Sequence, residues 1–152
     1  MIHHLHYKTH LNIDINTAWD FFSDPKNLNT ITPPDMHFKI LSGADKKMYP
    51  GQIIIYKISP FPGITTTWVT EITHVVNNKM FVDEQRFGPY EFWHHQHWFE
   101  ETKKGILMED IVHYKIPLGW MGDIINAIII KHRLKQIFDY RQEKLNEMFN
   151  KH

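Results

Sequence analysis

The sequence contains no cysteine. That excludes a disulfide framework and any zinc site built on thiolates, and it fits a reducing, cytoplasmic setting. Net charge is also missing: 17 basic residues balance 17 acidic ones, and neither sign runs in a long block. A nucleic-acid partner would require a concentrated basic face, so that role is set aside. Long hydrophobic runs are absent too. The most apolar stretch, "IINAIII" at 124–130, is far short of the roughly 20 residues a spanning helix needs, so burial is its expected fate and stable membrane insertion is not expected. The start shows no basic segment leading into an apolar core, the pattern of a secretory leader. Repeats, low-complexity tracts and linkers are likewise missing, so residues 1–152 are expected to form a single domain burying roughly two-thirds of its unfolded surface.

Two residue classes are in excess. Aromatics make up 14% of the chain, and there are 12 histidines. Rings in that number either thicken a core or line a cavity. Histidine titrates near neutrality, so its surplus makes the net charge sensitive to mild acid. Three of them lie in "FWHHQHWFE" (92–100), between two tryptophans. The chemistry open to that stretch is a metal site, an acid–base site or the polar wall of a pocket.

Periodicity divides the chain into elements. Residues 2–13 alternate as a strand. Asn16 is expected to cap a short helix, Thr17 to Ser23, and Asp24-Pro25 starts a second helical segment that Thr32-Pro33-Pro34 ends. Strands are placed near 36–42, 52–59, 64–75, 79–87, 91–102 and 106–116, separated by Gly, Pro and Asn turns such as Asn77-Asn78 and Gly88-Pro89. Phe61, in the turn "SPFPG" (59–63), is expected to be an exposed loop residue. From about Met121 to Asn150 the period becomes helical, with Ile124, Ile128, Leu134, Phe138, Leu145 and Met148 as the apolar stripe. This is an α+β pattern: a seven-stranded antiparallel sheet curved around one long C-terminal helix, with short helices after the first strand.

The stretches "LNTITPP" (28–34), "FVDEQRFGPYEFWHHQHWFE" (81–100), "MEDIVHYKIPLG" (108–119) and "IFDYRQEKL" (137–145) resemble the START-like SRPBCC superfamily, in its bacterial ligand-binding and polyketide cyclase/dehydrase-like branch. The resemblance implies a helix-grip fold with a deep hydrophobic cavity between sheet and helix. Activities in the superfamily range over lipid and hormone binding, polyketide cyclisation and chaperone activation, and some relatives carry a cell-division label. Fold alone therefore selects no activity.

A two-residue turn at Lys104-Gly105 sets an expected register for the last hairpin, because glycine tolerates the positive φ of such turns. Phe99 then faces Asp110, His97 faces Val112, His95 faces Tyr114 and Trp93 faces Ile116. That side is the more apolar one, so it is turned inward. On the family pattern Phe81, Asp83, Gln85 and Phe87 also point inward, as do Trp68, Thr70 and Ile72 in the strand before. Phe138-Asp139-Tyr140-Arg141 is expected to fix helix-to-sheet packing.

Histidines two apart on one strand face lie about 6.6 Å from each other, and with Asp110 they form a metal-competent set. Without a further ligand motif they are read as hydrogen-bonded wall residues, with no metal and no cofactor. The preferred reading is a pocket for a small hydrophobic or amphipathic molecule. Trp68, Phe81, Trp93, Phe99 and Tyr114 supply its apolar wall; Asp83, Gln85, His95, His97 and Asp110 supply its polar groups. An enzyme of cyclase or dehydratase type using His95, His97 and Asp110 is the alternative. A non-enzymatic interaction protein is a third.

Overall fold

A computed structural model describes residues 1–151. Strand β1 (His3–Leu11) leads into helix α1 (Ile15–Phe22) and two short 3-10 segments, Pro25–Ile31 and Pro34–Met36. The strands β2 (Lys39–Ser42), β3 (Gln52–Phe61), β4 (Ile64–Val76), β5 (Met80–Phe87), β6 (Phe92–Thr102) and β7 (Gly105–Lys115) follow in series. A helical run closes the chain: α2 (Gly119–Ile125), a π-helical turn (Asn126–Ile130) and α3 (Lys131–Phe149). The sheet is antiparallel with the order β1-β7-β6-β5-β4-β3-β2. Every neighbour pair but one is consecutive in sequence. The exception brings β1 against β7, so the first strand protects the edge that the last would otherwise expose.

Helix α3 spans both halves of the interior. Leu134 and Phe138 pack with Trp68, Trp93 and Tyr114. One to two turns further on, Leu145 packs with Leu11, Ala18, Phe22, Phe99 and Met108. Each such side chain contributes about 1.5–3 kcal/mol by leaving water. Tyr7 stacks flat on Phe138 at 5.0 Å, tying β1 to the helix.

The structure corrects several local expectations. Asp14, not Asn16, caps α1: its carboxylate accepts from the Thr17 amide at 2.9 Å and the Thr17 hydroxyl at 2.7 Å. Strand β3 continues through Phe61, so the turn is Pro62-Gly63 and Phe61 is half-buried. A bulge at Arg86, where Val69 and Thr70 face Phe87 and Gln85, turns Phe87 outward to 65% exposure.

In the β6–β7 hairpin the turn is Lys103-Lys104, one residue earlier than expected, with Thr102 opposite Gly105. Gly105 serves the strand. A Cβ there would lie 2.1 Å from the Leu11 carbonyl oxygen of β1, and its φ is +132°. The observed pairs are therefore Trp93–Tyr114, His95–Val112, His97–Asp110 and Phe99–Met108. This is a slide of two residues, and because side chains alternate with period two, the same faces remain inside. Trp93, His95, His97 and Phe99 are all buried.

The stretch 124–130 is not buried as expected. Trp120, Ile124 and Ile128 are 73%, 51% and 65% exposed, whereas Gly122 and Asn126 face inward. Two interior constraints fix this rotation. The Tyr114 hydroxyl donates to Asn126 Oδ1 at 2.8 Å. At Gly122 the helix passes so close to the end of β7 that a Cβ would lie 2.1 Å from the Pro117 carbonyl oxygen. A small residue and a polar anchor take the inner positions, leaving the isoleucines outside.

Candidate ligand cavity

A cavity of about 170 Å³ lies between the sheet and α3. Its wall includes Ile54, Tyr56, Trp68, Trp93, Leu134 and Phe138. Tyr56 and Trp68 stack in parallel at 6.0 Å, and Trp68 meets Trp93 edge-on at 5.3 Å. Tyr56 also donates to or accepts from Thr70 at 3.3 Å. Burial pushes the Tyr56 and Tyr90 phenols above the ordinary tyrosine value, so both are neutral hydroxyls at any physiological pH.

At one side of the cavity lies a charged cluster. His97 stands between Phe81 and Asp110 in register, and His95 between Asp83 and Val112. Each imidazole reaches diagonally, so the links cross. His95 Nε2 meets Asp110 Oδ1 at 2.7 Å, and His97 Nε2 meets Asp83 Oδ2 at 2.6 Å. The two rings lie 3.7 Å apart, and Phe81 stacks on the outer face of His97 at 4.0 Å. Arg141, from α3, brings its guanidinium to 3.4 Å from Asp110 Oδ1. His95, His97, Asp110 and Arg141 are all buried. Asp83, with 18% side-chain exposure, borders the cavity.

Charges buried together must balance. Two carboxylates and one guanidinium leave one negative charge, and a single imidazolium cancels it. Burial alone would raise Asp110, yet the Arg141 charge and the bonds from both histidines hold it well below the usual carboxylate range. Asp83 is likewise lowered: burial opposes this, and the charges of His95 and His97 with the His97 bond outweigh it. The histidines separate. Burial and the neighbouring His97 charge push His95 down despite its carboxylates. For His97, burial is overcome by the two carboxylates beside it, Asp110 at 3.3 Å and Asp83 at 2.6 Å, and its value rises. Of the two rings His97 is therefore the one whose protonated form is favoured, and a single proton on the pair makes the cluster neutral overall.

Asp83, His95 and His97 present donor atoms within 4.8 Å of one another, the geometry a metal ion could use. The Arg141 guanidinium, 3.4 Å from Asp110, already brings positive charge to the cluster.

Of the ten sequence-predicted residues, Trp68, Phe81, Asp83, Trp93, His95 and His97 border the cavity. Asp110 lies behind the two histidines and reaches the cavity only through them and Arg141. Tyr114 is turned to Asn126, and Phe99 packs with Trp19 and Phe22 in the other half of the core. Gln85 closes the β5–β6 turn on itself, donating to the Tyr90 carbonyl at 2.6 Å and accepting from the Tyr90 amide at 3.0 Å. Arg141 was read as a packing residue; it both pairs with Asp110 and borders the cavity. Its position was a usable signal, since 134, 138, 141 and 145 make one buried helical stripe and an arginine on such a stripe requires a partner. Phe61 also borders the cavity.

No family model matches the chain, and no curated protein matches it. Solved structures do. Protein CV1439 from Chromobacterium violaceum superposes with a TM-score of 0.74 at 14% identity, over 99% of each chain. Ginseng major latex-like protein 151 from Panax ginseng gives 0.70 at 12% identity, over 97% of each. Protein Ms6760 from Mycobacterium smegmatis gives 0.66 at 15%, over 95% of this chain and 92% of that one. The chain has the helix-grip fold. At these identities the likeness is one of architecture, and the helix-grip expectation from the sequence agrees with it.

Proposed function

We propose that this helix-grip protein is a cytoplasmic member of the START-like SRPBCC superfamily that holds a small hydrophobic or amphipathic molecule between its sheet and α3. The observation that carries the reading is the hollow itself. It is aromatic-walled, bordered by charged groups whose positions are fixed by one another, and continuous between sheet and helix. Apolar wall with a few oriented polar groups is how small-molecule sites are built. At about 170 Å³ the space is near the ~150 Å³ of an apolar cavity that admits benzene. The molecule in this conformation is therefore of single-ring size. Native mass spectrometry of freshly purified protein, with and without added single-ring compounds, tests the reading. A bound mass that Trp93→Ala abolishes supports it; failure to bind any apolar compound of that size contradicts it.

A second reading, a cyclase or dehydratase, rests on one specific feature. His97 lies between two carboxylates that favour its protonated form, and with Asp83 it borders the same cavity. A general acid so placed could protonate a leaving hydroxyl. Turnover of a polyketide that Asp110→Asn abolishes in a folded protein would favour this reading over simple binding.

A further inference from the structure

We infer that the occupant of the cavity carries a hydrogen-bond-accepting oxygen group, a carbonyl or a carboxylate, which an unpartnered N–H of Arg141 or of Trp68 receives. The inference rests on the binding reading above and adds the chemical class of the ligand's polar end.

The unmatched polar atoms in the interior are all of one kind. Among the described residues, the buried side-chain nitrogens and oxygens without a hydrogen-bond partner are Trp68 Nε1, His97 Nδ1, Arg133 Nη2 and Arg141 Nε. All four belong to residues that border the cavity. Each is an N–H donor, given His97 in its charged form. No buried oxygen is left over in the same set. Buried polar groups are almost always paired, so each exception calls for an explanation.

The four are not equivalent. His97 Nδ1 lies 3.3 Å from Asp110 Oδ1, close to a partner but poorly aligned with it. Arg133 is half-buried, donates from Nε to the Pro60 carbonyl and faces Asp35 at 3.1 Å. Trp68 and Arg141 stand apart. They are 94% and 93% buried, being 6% and 7% exposed. The indole has only its one N–H, and it is unused. The guanidinium faces Asp110 with one Nη and leaves Nε free.

An occupant that donates would meet no unpaired acceptor among the fully buried atoms; the carboxylate at the border, Asp83, is already shared with His97, and a cationic occupant would also meet Arg141. An oxygen that only accepts satisfies the surplus directly. Because the cluster is neutral with His97 protonated, a carbonyl enters without a change of charge. A carboxylate adds one negative charge, which neutral His95 is placed to balance by taking up a proton. Both groups share the acceptor chemistry, and matched probes tell them apart.

The experiment compares four single-ring probes of similar size by calorimetric or NMR titration: acetophenone, benzoate, ethylbenzene and benzylamine. Acetophenone or benzoate is expected to bind about tenfold or more tightly than ethylbenzene, the share of a hydrogen bond to a charged or buried donor. Benzylamine is expected to bind weakest. Arg141→Met or Trp68→Phe should narrow the gap between the acceptor probes and ethylbenzene, both measured on the same variant. Because Arg141 also faces Asp110, Trp68→Phe, which breaks no ion pair, is the variant that keeps the test independent of folding. Equal binding of ethylbenzene and both acceptor probes overturns the inference and leaves the pocket reading intact, as does preference for benzylamine. Binding of none of the four overturns both.

Discussion

At the scale of single residues the unusual feature is a pair of stacked histidines driven apart in protonation by the same two aspartates. His95 and His97 share carboxylate partners, yet His95 is pushed below the ordinary value of 6.5 and His97 above it. The consequence for stability has a definite sign. His97 contributes stability that is complete below pH 6.5 and is lost as pH rises through its folded-state value. His95 resists protonation in the folded chain, so stability falls as pH drops from 6.5 through its folded-state value. Urea midpoints measured from about pH 5 to about pH 8 should therefore peak near 6.5, and His97→Gln should remove the decline on the alkaline side. The lowered Asp83 and Asp110 add a loss only at acid pH, below 3.8. Asp110→Asn leaves Arg141 and His97 short of a counter-charge and is expected to cost about 3–5 kcal/mol, with the His97 titration moving down in an NMR pH series. The same series reads a second group on the outer face. His4, His113 and His94 lie side by side across β1, β7 and β6. His113, partly desolvated and between two potential like charges, is expected to titrate below its ordinary value.

At the scale of elements, what was legible in the sequence follows from which signals are periodic. The inward faces of β6 and β7 could be read because alternation survives any even shift in pairing. The register could not be read, because it was hung on Gly105 as a turn residue. Close approach to β1 is what demands a glycine there, and that neighbour is distant in sequence. Gly105→Ala is accordingly expected to destabilise by roughly 1–3 kcal/mol, with faster amide exchange in β1 and β7. The rotation of α2 was misread for a related reason. Hydrophobicity puts Ile124 and Ile128 inside, whereas one buried asparagine decides the outcome through Tyr114. Asn126→Ala leaves the Tyr114 hydroxyl unpaired and should cost about 1–3 kcal/mol. Tyr114→Phe in the same background should add little to that loss in a urea-denaturation double-mutant cycle.

At the scale of the whole molecule, a sheet wrapped around one helix leaves a space whose two sides come from the middle and the end of the sequence. The strand wall, Trp68, Phe81, Asp83, Trp93, His95 and His97, could be foreseen from alternation, with the family pattern choosing the inward face for Phe81 and Asp83. The helix wall could not be set against it without the fold, so Arg141 was assigned to packing. Phe87 turns outward because the bulge at Arg86 breaks the alternation, whereas Gln85 keeps its register opposite Thr70 but spends its amide on the Tyr90 backbone. Of the candidate site, then, the regular parts were legible and the parts fixed by bulges, turns or long-range pairing were not.

The five tryptophans provide the most direct test that this space is a binding site. Trp68 and Trp93 border the cavity, Trp19 packs against Phe81 and Phe99 away from it, and Trp98 and Trp120 are exposed. In a proton–nitrogen NMR titration with acetophenone, the indole N–H signals of Trp68 and Trp93 should shift saturably while the other three hold still. Stationary Trp68 and Trp93 signals, or shifts confined to Trp98 and Trp120, would contradict the account.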